Sequence, residues 1–489
     1  MIYKDANEIY EYVFEHARDL IREALDALGV HKDDSNGDHE VVGINTLPWG
    51  RNEIIKSDKT IDGNYMSQLD AQGNTLVRVA CDRSGIARPL DYKEGHSTVS
   101  ATQVKGGIFV LDNGKLRVEI EGGVLTSVYD RDNDREVLAR DGRKGNQLII
   151  LEDTPLSFPA WDTEQYSLDK VRHVAPGDVR IVENGPIRAA VEVYQKISDK
   201  STIKTTISLD AIAEPGKEEV AKGNQNGDSS SLSYIEFSCE VDWHETYQFL
   251  KVEFPVDVHA TEASYETSFG LHQRPTHYNT TWDVAKFEVC GHKFADYSDY
   301  GYGVTLINDC KYGYSIHGNT MRLSLLRASK SPDAHADMGK HVFRYAMLPH
   351  KGSMNPAIVR TAYNFNHPMQ LNYVSRVLNV EECDILNGFR LTGDDNLILA
   401  TVKRGEDDKD TSQGLLPVKH HDNKTVVVRV YDSLGARSRG RIESSFFKIK
   451  SAFKVNHLED ELEELPVSDN GFKIEQRPFE IASYKLVIH

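Results

Sequence analysis

Short runs in which apolar and polar residues alternate dominate this sequence, and Gly, Asn and Asp separate them. In the segment KLRVEIEGGVLTSVYD (115–130), Leu116, Val118 and Ile120 alternate with charged neighbours, which is the pattern of a half-buried strand. The glycine pair at 122–123 is typical of a turn. Similar runs recur at 41–47, 75–80, 187–197, 201–209, 232–243, 249–258, 425–449 and 479–489. Many short strands with few helices predict a mainly β fold built from β-sandwich domains.

Only the first thirty residues have the spacing of a helix. Their apolar residues recur every three or four positions and form one stripe: Tyr10, Val13, Phe14, Ala17, Ile21, Ala24 and Leu28. Gly29 stands where a helix end favours a left-handed residue. No second helix follows to cover the stripe. We therefore expect its partner to come from another chain or from a preceding segment.

Changes in sequence texture divide the chain into segments. A polar linker, HKDDSNGDHE, follows the helix at 31–40. The predicted segments are the helix at 1–30, a small β domain at 38–103, a large β-sandwich at 104–368 and a C-terminal β domain at 369–489.

Charge and cysteine content exclude several classes of protein. Lys and Arg number 57 against 75 Asp and Glu, a net charge of −18, whereas nucleic-acid and anionic-membrane surfaces need clustered positive charge. No apolar run is long enough for a transmembrane helix, and the acidic N-terminus lacks the features of a signal peptide. The five cysteines are scattered, which favours a reducing compartment over a disulfide framework.

Two loop-like stretches carry candidate binding residues. The first, EDTPLSFPAWDTEQY (152–166), contains Trp161 and Asp162 and is preceded by Asn146 and Gln147. Aromatic, amide and carboxylate groups in one place are typical of a carbohydrate cleft. An ordinary loop that caps a sandwich is the alternative.

The second stretch, SPDAHADMGKH (331–341), alternates acids and imidazoles. Its candidate residues are Asp333, His335, Asp337 and His341. Such groups donate to and accept from vicinal hydroxyls of a sugar. A retaining glycosidase needs two carboxyl groups about 5 Å apart, a distance that a sequence does not reveal. A solvated loop is the alternative here.

Other motifs favour structural roles over metal binding or catalysis. His420, His421 and Asp422 could each bind zinc, but adjacent residues point in different directions, so we interpret them as an exposed hairpin tip. The His- and Asp-rich segment 272–299 has interleaved aromatic residues and is interpreted as core packing. No nucleotide-binding loop and no nucleophile elbow is present.

Several long stretches resemble one family, the α-mannosidases of glycoside hydrolase family 38, in the branch with cytosolic and fungal vacuolar enzymes. The resemblance is to the C-terminal half of these enzymes and covers nearly all 489 residues. It is carried by NTLPWGRNEII (45–55), GNQLIILEDTP with AWD following (145–162), LKVEFPVDV (250–258), the block at 269–341, VKRGEDD (402–408) and VVVRVYDSLGARSRG (426–440).

The resemblance implies a division of labour. Whole enzymes of this family place a (β/α) barrel first, then a helical bundle, then β domains. Their zinc ligands, nucleophile and acid/base group all precede the part that this chain resembles. The full enzyme is expected to release terminal α-D-mannose with retention, using zinc, in oligosaccharide catabolism. This chain is expected to contain no catalytic residue and no metal ligand, and to be inactive alone. Its helix at 1–30 would belong to the bundle.

The resemblance also implies ligands and partners. Loops of the family's β-sandwich reach the sugar, and the matching residues here are Asn146, Gln147, Trp161, Asp162, Asp333, His335, Asp337 and His341. The expected partners are a mannose-containing oligosaccharide, a catalytic barrel from the same gene or in trans, and further copies of the chain, with no nucleic acid and no membrane. The expected location is the cytoplasm, with the vacuole as the alternative. The competing hypothesis is a non-catalytic module for carbohydrate binding or assembly, in which Trp161, Trp243, Trp282 and the 329–341 loop would face a sugar directly.

Overall fold

The computed structural model describes residues 2–27, 40–61, 63–81, 83–92, 98–212, 232–374, 388–408 and 424–489. Helix α1 (Ile2–Ala27) is the first element, as the apolar spacing predicts. Its stripe faces solvent, and Phe14 is 59% exposed. The polar, Gly- and Ser-rich composition of 214–231 predicts a surface loop, and that of 404–414 predicts an acidic turn. The first stretch lies outside the described residues, as do residues 409–414 of the second.

The strands after α1 form two sheets. The first contains β1 (Glu40–Asn45), β2 (Arg51–Ser57), β3 (Ser67–Leu69), β4 (Thr75–Cys81) and β5 (Gly85–Pro89). The second contains β6 (Ser100–Gln103), β7 (Phe109–Asp112), β8 (Leu116–Glu121), β9 (Val124–Asp130) and β10 (Arg135–Glu136), in the spatial order β10-β9-β8-β7-β6. The turn between β8 and β9 is the predicted glycine pair, and both glycines have positive φ.

Two larger sheets face each other in the sandwich. Its elements are β11 (Gln147–Glu152), a short 3-10 helix (Gln165–Asp169), β12 (Val171–His173), β13 (Asp178–Asn184), β14 (Arg188–Lys196), β15 (Thr202–Asp210), β16 (Ile235–Trp243), β17 (Gln248–Pro255), β18 (Glu262–Glu266), β19 (Leu271–Pro275), α2 (Thr281–Val284), β20 (Val289–Cys290), β21 (Phe294–Ser298), β22 (Tyr302–Asn308), β23 (Gly313–His317), β24 (Thr320–Arg327) and β25 (Gly339–Lys351). One sheet has the order β12-β11-β17-β24-β23-β20, and the other β13-β14-β15-β16-β25-β22-β21-β18-β19.

An aromatic cluster joins the two sheets of the sandwich. Phe237 of β16 stacks on Tyr345 of β25 with ring centroids 4.9 Å apart. Phe254 of β17, in the facing sheet, lies 5.6 Å from Phe237. All three side chains are buried, and Val118 and Ile120 from the sheet of β6–β10 pack into the same core. The alternation that predicts strands therefore also marks the residues that hold the layers together.

Helix α3 (Pro356–Asn366) returns the chain to the first sheet. Asn355 caps the helix by accepting from the backbone N–H of Ala357 at 3.0 Å, and a proline occupies the first helical position. After α3, strand β26 (Gln370–Val374) pairs with β1. The predicted boundary at 368/369 thus lies between α3 and β26, and β26 adds to the first sheet rather than to the strands that follow it.

The last strands form a separate pair of sheets. They are β27 (Phe389–Gly393), β28 (Leu397–Arg404), β29 (Lys424–Asp432), β30 (Ser438–Ser444), β31 (Ile449–Val455), β32 (Glu461–Leu465), β33 (Val467–Ser468), β34 (Gly471–Gln476) and β35 (Ile481–Ile488). The orders are β27-β30-β34-β33 and β28-β29-β35-β31-β32. Val428, Ile442 and Leu486 lie at the centre of their shared core. The prediction of a mainly β fold with sandwich domains and one N-terminal helix is confirmed.

Replacing Phe237 with alanine should lower the free energy of unfolding by about 3–5 kcal/mol, because the change leaves a cavity between the sheets. Tyr300→Ala is the matched control, since this ring is 99% exposed; its effect should stay within about 0.5 kcal/mol. Denaturant titration of the purified chain measures both. Equal midpoints for the two variants would contradict the central position assigned to Phe237.

Candidate functional site

One end of the large sandwich brings together the loops that contain most of the predicted site residues. Antiparallel pairing places Phe249 at the start of β17 opposite Arg327 at the end of β24. It also places Trp243 at the end of β16 opposite Gly339 at the start of β25. The loops that meet at this end are 153–164, 244–247 and 328–338.

An ion pair between Arg327 and the buried carboxylate of Asp153 anchors the 153–164 loop. The guanidinium Nε and Nη2 atoms each lie 2.8 Å from a carboxylate oxygen of Asp153, in a bidentate arrangement. The Asp153 side chain is fully buried. Nη2 also donates to the backbone oxygens of Asp162, at 2.6 Å, and Pro159, at 3.2 Å. One side chain therefore holds the loop at its start and near its tip.

The tip of this loop presents apolar side chains to solvent. Leu156, Phe158 and Trp161 are all largely exposed, Trp161 by 86%. The tip is nevertheless a defined turn, because the backbone N–H groups of Trp161 and Asp162 both donate to the Phe158 oxygen, at 2.8 and 2.9 Å. Phe158 itself has φ +49°, a conformation that non-glycine residues rarely adopt. An exposed indole on a structured turn suits contact with the apolar face of a sugar ring.

The 328–338 loop and the first residues of β25 place the acids and imidazoles at the same end. The Asp333 carboxylate accepts from the backbone N–H of His335 at 2.8 Å, which forms a local turn. A ring nitrogen of His341 lies 2.7 Å from the backbone oxygen of Asp337. The side chains of His335 and Asp337 are exposed. They are thus accessible to a ligand, although their use in binding remains a prediction.

Asn146 and Gln147 lie at the opposite end of the sandwich. Asn146 is 3% exposed; its amide donates to the Gly123 oxygen at 2.9 Å and accepts from the Tyr345 hydroxyl at 2.7 Å. Gln147 begins β11 and donates to the backbone oxygen of Leu148. The length of β11, at roughly 3.3 Å per residue, separates these residues from the 153–164 loop. The eight predicted residues therefore do not form one cluster, and the structure gives Asn146 a packing role.

Sequence reasoning did not identify Arg327 and misjudged Trp243. The hypothesis of a free-standing sugar-binding module places Trp243 against the ligand, but this indole is fully buried and donates to the Arg327 backbone oxygen at 2.9 Å. The alternation of β16 could have indicated this, since Trp243 continues its buried positions. Arg327 gives a weaker signal, as the charged residue that ends the apolar strand β24.

A His–Asp pair lies deep in the sandwich and is structural. Asp296 and His350 are buried, with a ring nitrogen 2.8 Å from the carboxylate. The same carboxylate accepts from the hydroxyls of Thr305 and Ser298, both at 2.7 Å. Its hydrogen bonds are made within the sheet of β21, β22 and β25. The interpretation of the 272–299 segment as core packing agrees with this arrangement at Asp296 but is wrong for Trp282, whose side chain is 79% exposed.

The described residues contain no group of three or more His, Cys, Asp and Glu side chains that could hold a metal ion. His420, His421 and Asp422 lie outside the described residues. In the part of the chain that the structure covers, no helix is long and apolar enough to cross a membrane.

Asp153→Asn should lower the free energy of unfolding by about 3 kcal/mol, because the Arg327 charge then loses its buried counter-charge. The neighbouring Glu152→Gln is the matched control. Glu152 also pairs with a cation, Lys170, at 2.8 Å, but both side chains are exposed, so the loss should be clearly smaller than at Asp153. Denaturant titration measures the free energy of unfolding of both variants. A loss at Asp153 no larger than that at Glu152 would rule out an anchoring role for the pair.

Two models of one family match this chain. The model described as the glycosyl hydrolases family 38 C-terminal domain matches residues 111–335. The model described as the glycosyl hydrolases family 38 C-terminal beta sandwich domain matches residues 396–484. Together they match most of the large sandwich and most of the last pair of sheets, with β25 and β27 outside the matched ranges.

Curated relatives match over the whole chain. The alpha-mannosidase of Saccharomyces cerevisiae is 37% identical, over 99% of this chain and 41% of its own length. The human alpha-mannosidase 2C1 is 32% identical, over 100% of this chain and 43% of its own length. This chain thus spans about two fifths of the length of these relatives.

A solved structure of an alpha-mannosidase from Enterococcus faecalis V583 superposes with a TM-score of 0.66 and 13% identity, over 99% of this chain and 59% of that chain. At this identity the likeness concerns the fold alone. The family-level resemblance inferred from the sequence motifs is confirmed by the two domain models and the curated relatives. The chain belongs to glycosyl hydrolase family 38 and carries its C-terminal domains.

Proposed function

We propose that this chain is the C-terminal, β-domain portion of an α-mannosidase that hydrolyses terminal non-reducing α-D-mannose from oligosaccharides and glycans. The observation that carries the proposal is the 37% identity to the yeast alpha-mannosidase over 99% of this chain. Because this similarity extends over almost the whole chain, it favours a shared role in the same kind of enzyme. The match reaches only 41% of the relative's length. We therefore assign catalysis to a separate part of the enzyme, encoded by the same gene or supplied in trans.

The role of this chain would be to contact the saccharide beyond the reacting bond. The candidates are the exposed residues of the 153–164 loop and the acids and imidazoles of 333–341. An indole packs on the C–H face of a pyranose ring, and carboxylates and imidazoles exchange hydrogen bonds with hydroxyls. Such contacts raise affinity for the oligosaccharide and hold it in register for hydrolysis elsewhere.

Zinc would belong to the full enzyme, where it would polarise sugar hydroxyls and stabilise charge in the transition state. The described residues of this chain do not fit a zinc site, since they bring together no suitable set of ligands. We therefore assign to this chain no step that involves the metal.

We also propose a location and an assembly state. The scattered cysteines support the cytoplasm, with the vacuole as the alternative. The exposed stripe of α1 supports packing against another helix, either in a preceding helical bundle or in a homo-oligomer.

A chimera tests the proposed function. Residues 1–489 replace the matching C-terminal part of the yeast alpha-mannosidase, and hydrolysis of 4-nitrophenyl α-D-mannopyranoside is followed. The chimera should be active, whereas the purified 489-residue chain should give no rate above buffer. A folded chimera without activity, or an isolated chain as active as the chimera, would overturn the proposal.

A zinc chelator should affect the chimera and the isolated chain differently. Treatment with a zinc chelator should abolish the activity of the chimera, and added zinc should restore it. The melting temperature of the isolated chain should not change under the same treatment, because the proposal places no metal in it. A chelator-induced drop in that melting temperature would instead place a structural metal in this chain.

One observation favours a second candidate, a non-catalytic carbohydrate-binding module. Trp161 and Trp282 are 86% and 79% exposed, which is unusual for large aromatic rings. Titration of the isolated chain with α-linked mannotriose, followed by NMR, discriminates between the two. A submillimolar Kd that Trp161→Ala abolishes would support the binding module. A Kd above about 10 mM would instead support a surface that contacts the saccharide only together with the rest of the enzyme.

A further inference from the structure

We propose that Arg327 is a positioning residue for saccharide binding. Through its ion pair with Asp153 it holds the 153–164 loop so that Trp161 and Asp162 face a bound oligosaccharide. This inference rests on the proposed function.

Arg327 directs two guanidinium nitrogens, Nε and Nη2, at one loop. Two N–H groups bind the carboxylate of Asp153, and Nη2 also reaches the backbone oxygens of Pro159 and Asp162. The rigid planar fork of arginine binds a carboxylate through two parallel N–H groups, a geometry that the compact ammonium of lysine does not offer. The conformation of the tip thus depends on one side chain from a different strand.

The exposed residues have little packing of their own to hold them. Trp161 is 86% exposed, so its position follows from its backbone. That backbone is held by two bonds to the Phe158 oxygen and by the contacts of Arg327. The further anchors are peripheral: the Tyr166 hydroxyl donates to the Thr154 oxygen at 2.5 Å. Removing Arg327 should therefore release the tip without unfolding the sandwich.

The same arginine connects the loop to the second candidate segment. Arg327 is the last residue of β24 and directly precedes the 328–338 loop. Its backbone oxygen accepts from the buried indole of Trp243, and the next oxygen, of Ala328, accepts from the backbone of Tyr247. The side chain of Arg327 thus fixes one loop while its backbone fixes the start of the other. A saccharide that spans the two loops would depend on their relative placement.

A purely structural clamp would lower stability without affecting substrate affinity, so the test needs kinetic readouts. In the yeast chimera, Arg327→Met should raise the KM for α-linked mannotriose about tenfold and change kcat less than about twofold, because the lost contacts lie away from the reacting bond. Arg327→Lys should recover part of the affinity. Arg439→Met is the matched control, since this arginine is also ion-paired but its side chain is 81% exposed, and it should leave both constants unchanged.

A double variant identifies the route of the effect. Trp161→Ala should raise the same KM, and adding Arg327→Met to it should then raise KM by much less than tenfold, because only the contact of Asp162 still depends on Arg327. If Arg327→Met fails to fold, Arg327→Lys in the presence and absence of Trp161→Ala makes the same comparison. Fully additive effects would show that Arg327 acts by another route and would overturn the inference.

Hydrogen exchange of the isolated chain gives a readout that does not need activity. Amides of residues 154–164 should be accelerated in Arg327→Met at least about tenfold more than those of the core strand β16, whose exchange follows the global stability. Unchanged exchange in the loop rejects the inference whatever the kinetics. An active chimera in which Arg327→Met leaves KM unchanged also rejects it and leaves the proposed function standing. An inactive parent chimera rejects the proposed function and the inference together.

Discussion

The antiparallel pairing of β16 with β25 is the constraint on which the rest of the sandwich depends. These strands lie next to each other near the middle of one sheet, and the stacked rings of Phe237 and Tyr345 connect them to Phe254 of the facing sheet. Because side chains alternate in direction, a shift of one residue would turn these rings toward solvent. The same register decides which loops share an end of the sandwich, and hence which residues can meet one ligand.

Buried charges occur where separate parts of the chain are joined. Arg327 and Asp153 connect a strand to a loop that lies 174 residues earlier in the sequence. Arg51 of β2 is likewise buried; it pairs with Glu53 and donates to the backbone oxygen of His367 just after α3. Burial raises the pKa of Glu53, although the Arg51 charge opposes this effect. Ion pairs of this kind contribute less to stability than to a defined geometry, because desolvation offsets much of their attraction.

The loops and the fold were predictable from the sequence to different degrees. Alternation over 115–130 predicts β8, β9 and the turn between them, since strand faces and turns are local properties. The pairing of β26 with β1 joins segments more than 300 residues apart, and local patterns carry no information about such partners. The same limit applies to the site: Trp161 and Asp333 have been placed at one end of the sandwich, whereas Asn146 lies at the other.

By itself, the sequence determined the helix at the N-terminus, the mainly β class and the family, because apolar spacing and long motifs are written in consecutive residues. Only the tertiary structure decided which candidate residues are accessible. Asn146 and Trp243 became core residues because their polar atoms found partners in distant strands, Tyr345 and Arg327. Arg327 became the anchor of a loop because antiparallel register placed its side chain beside Asp153. Burial and charge pairing depend on which segments meet, and that is settled only when the sheets assemble.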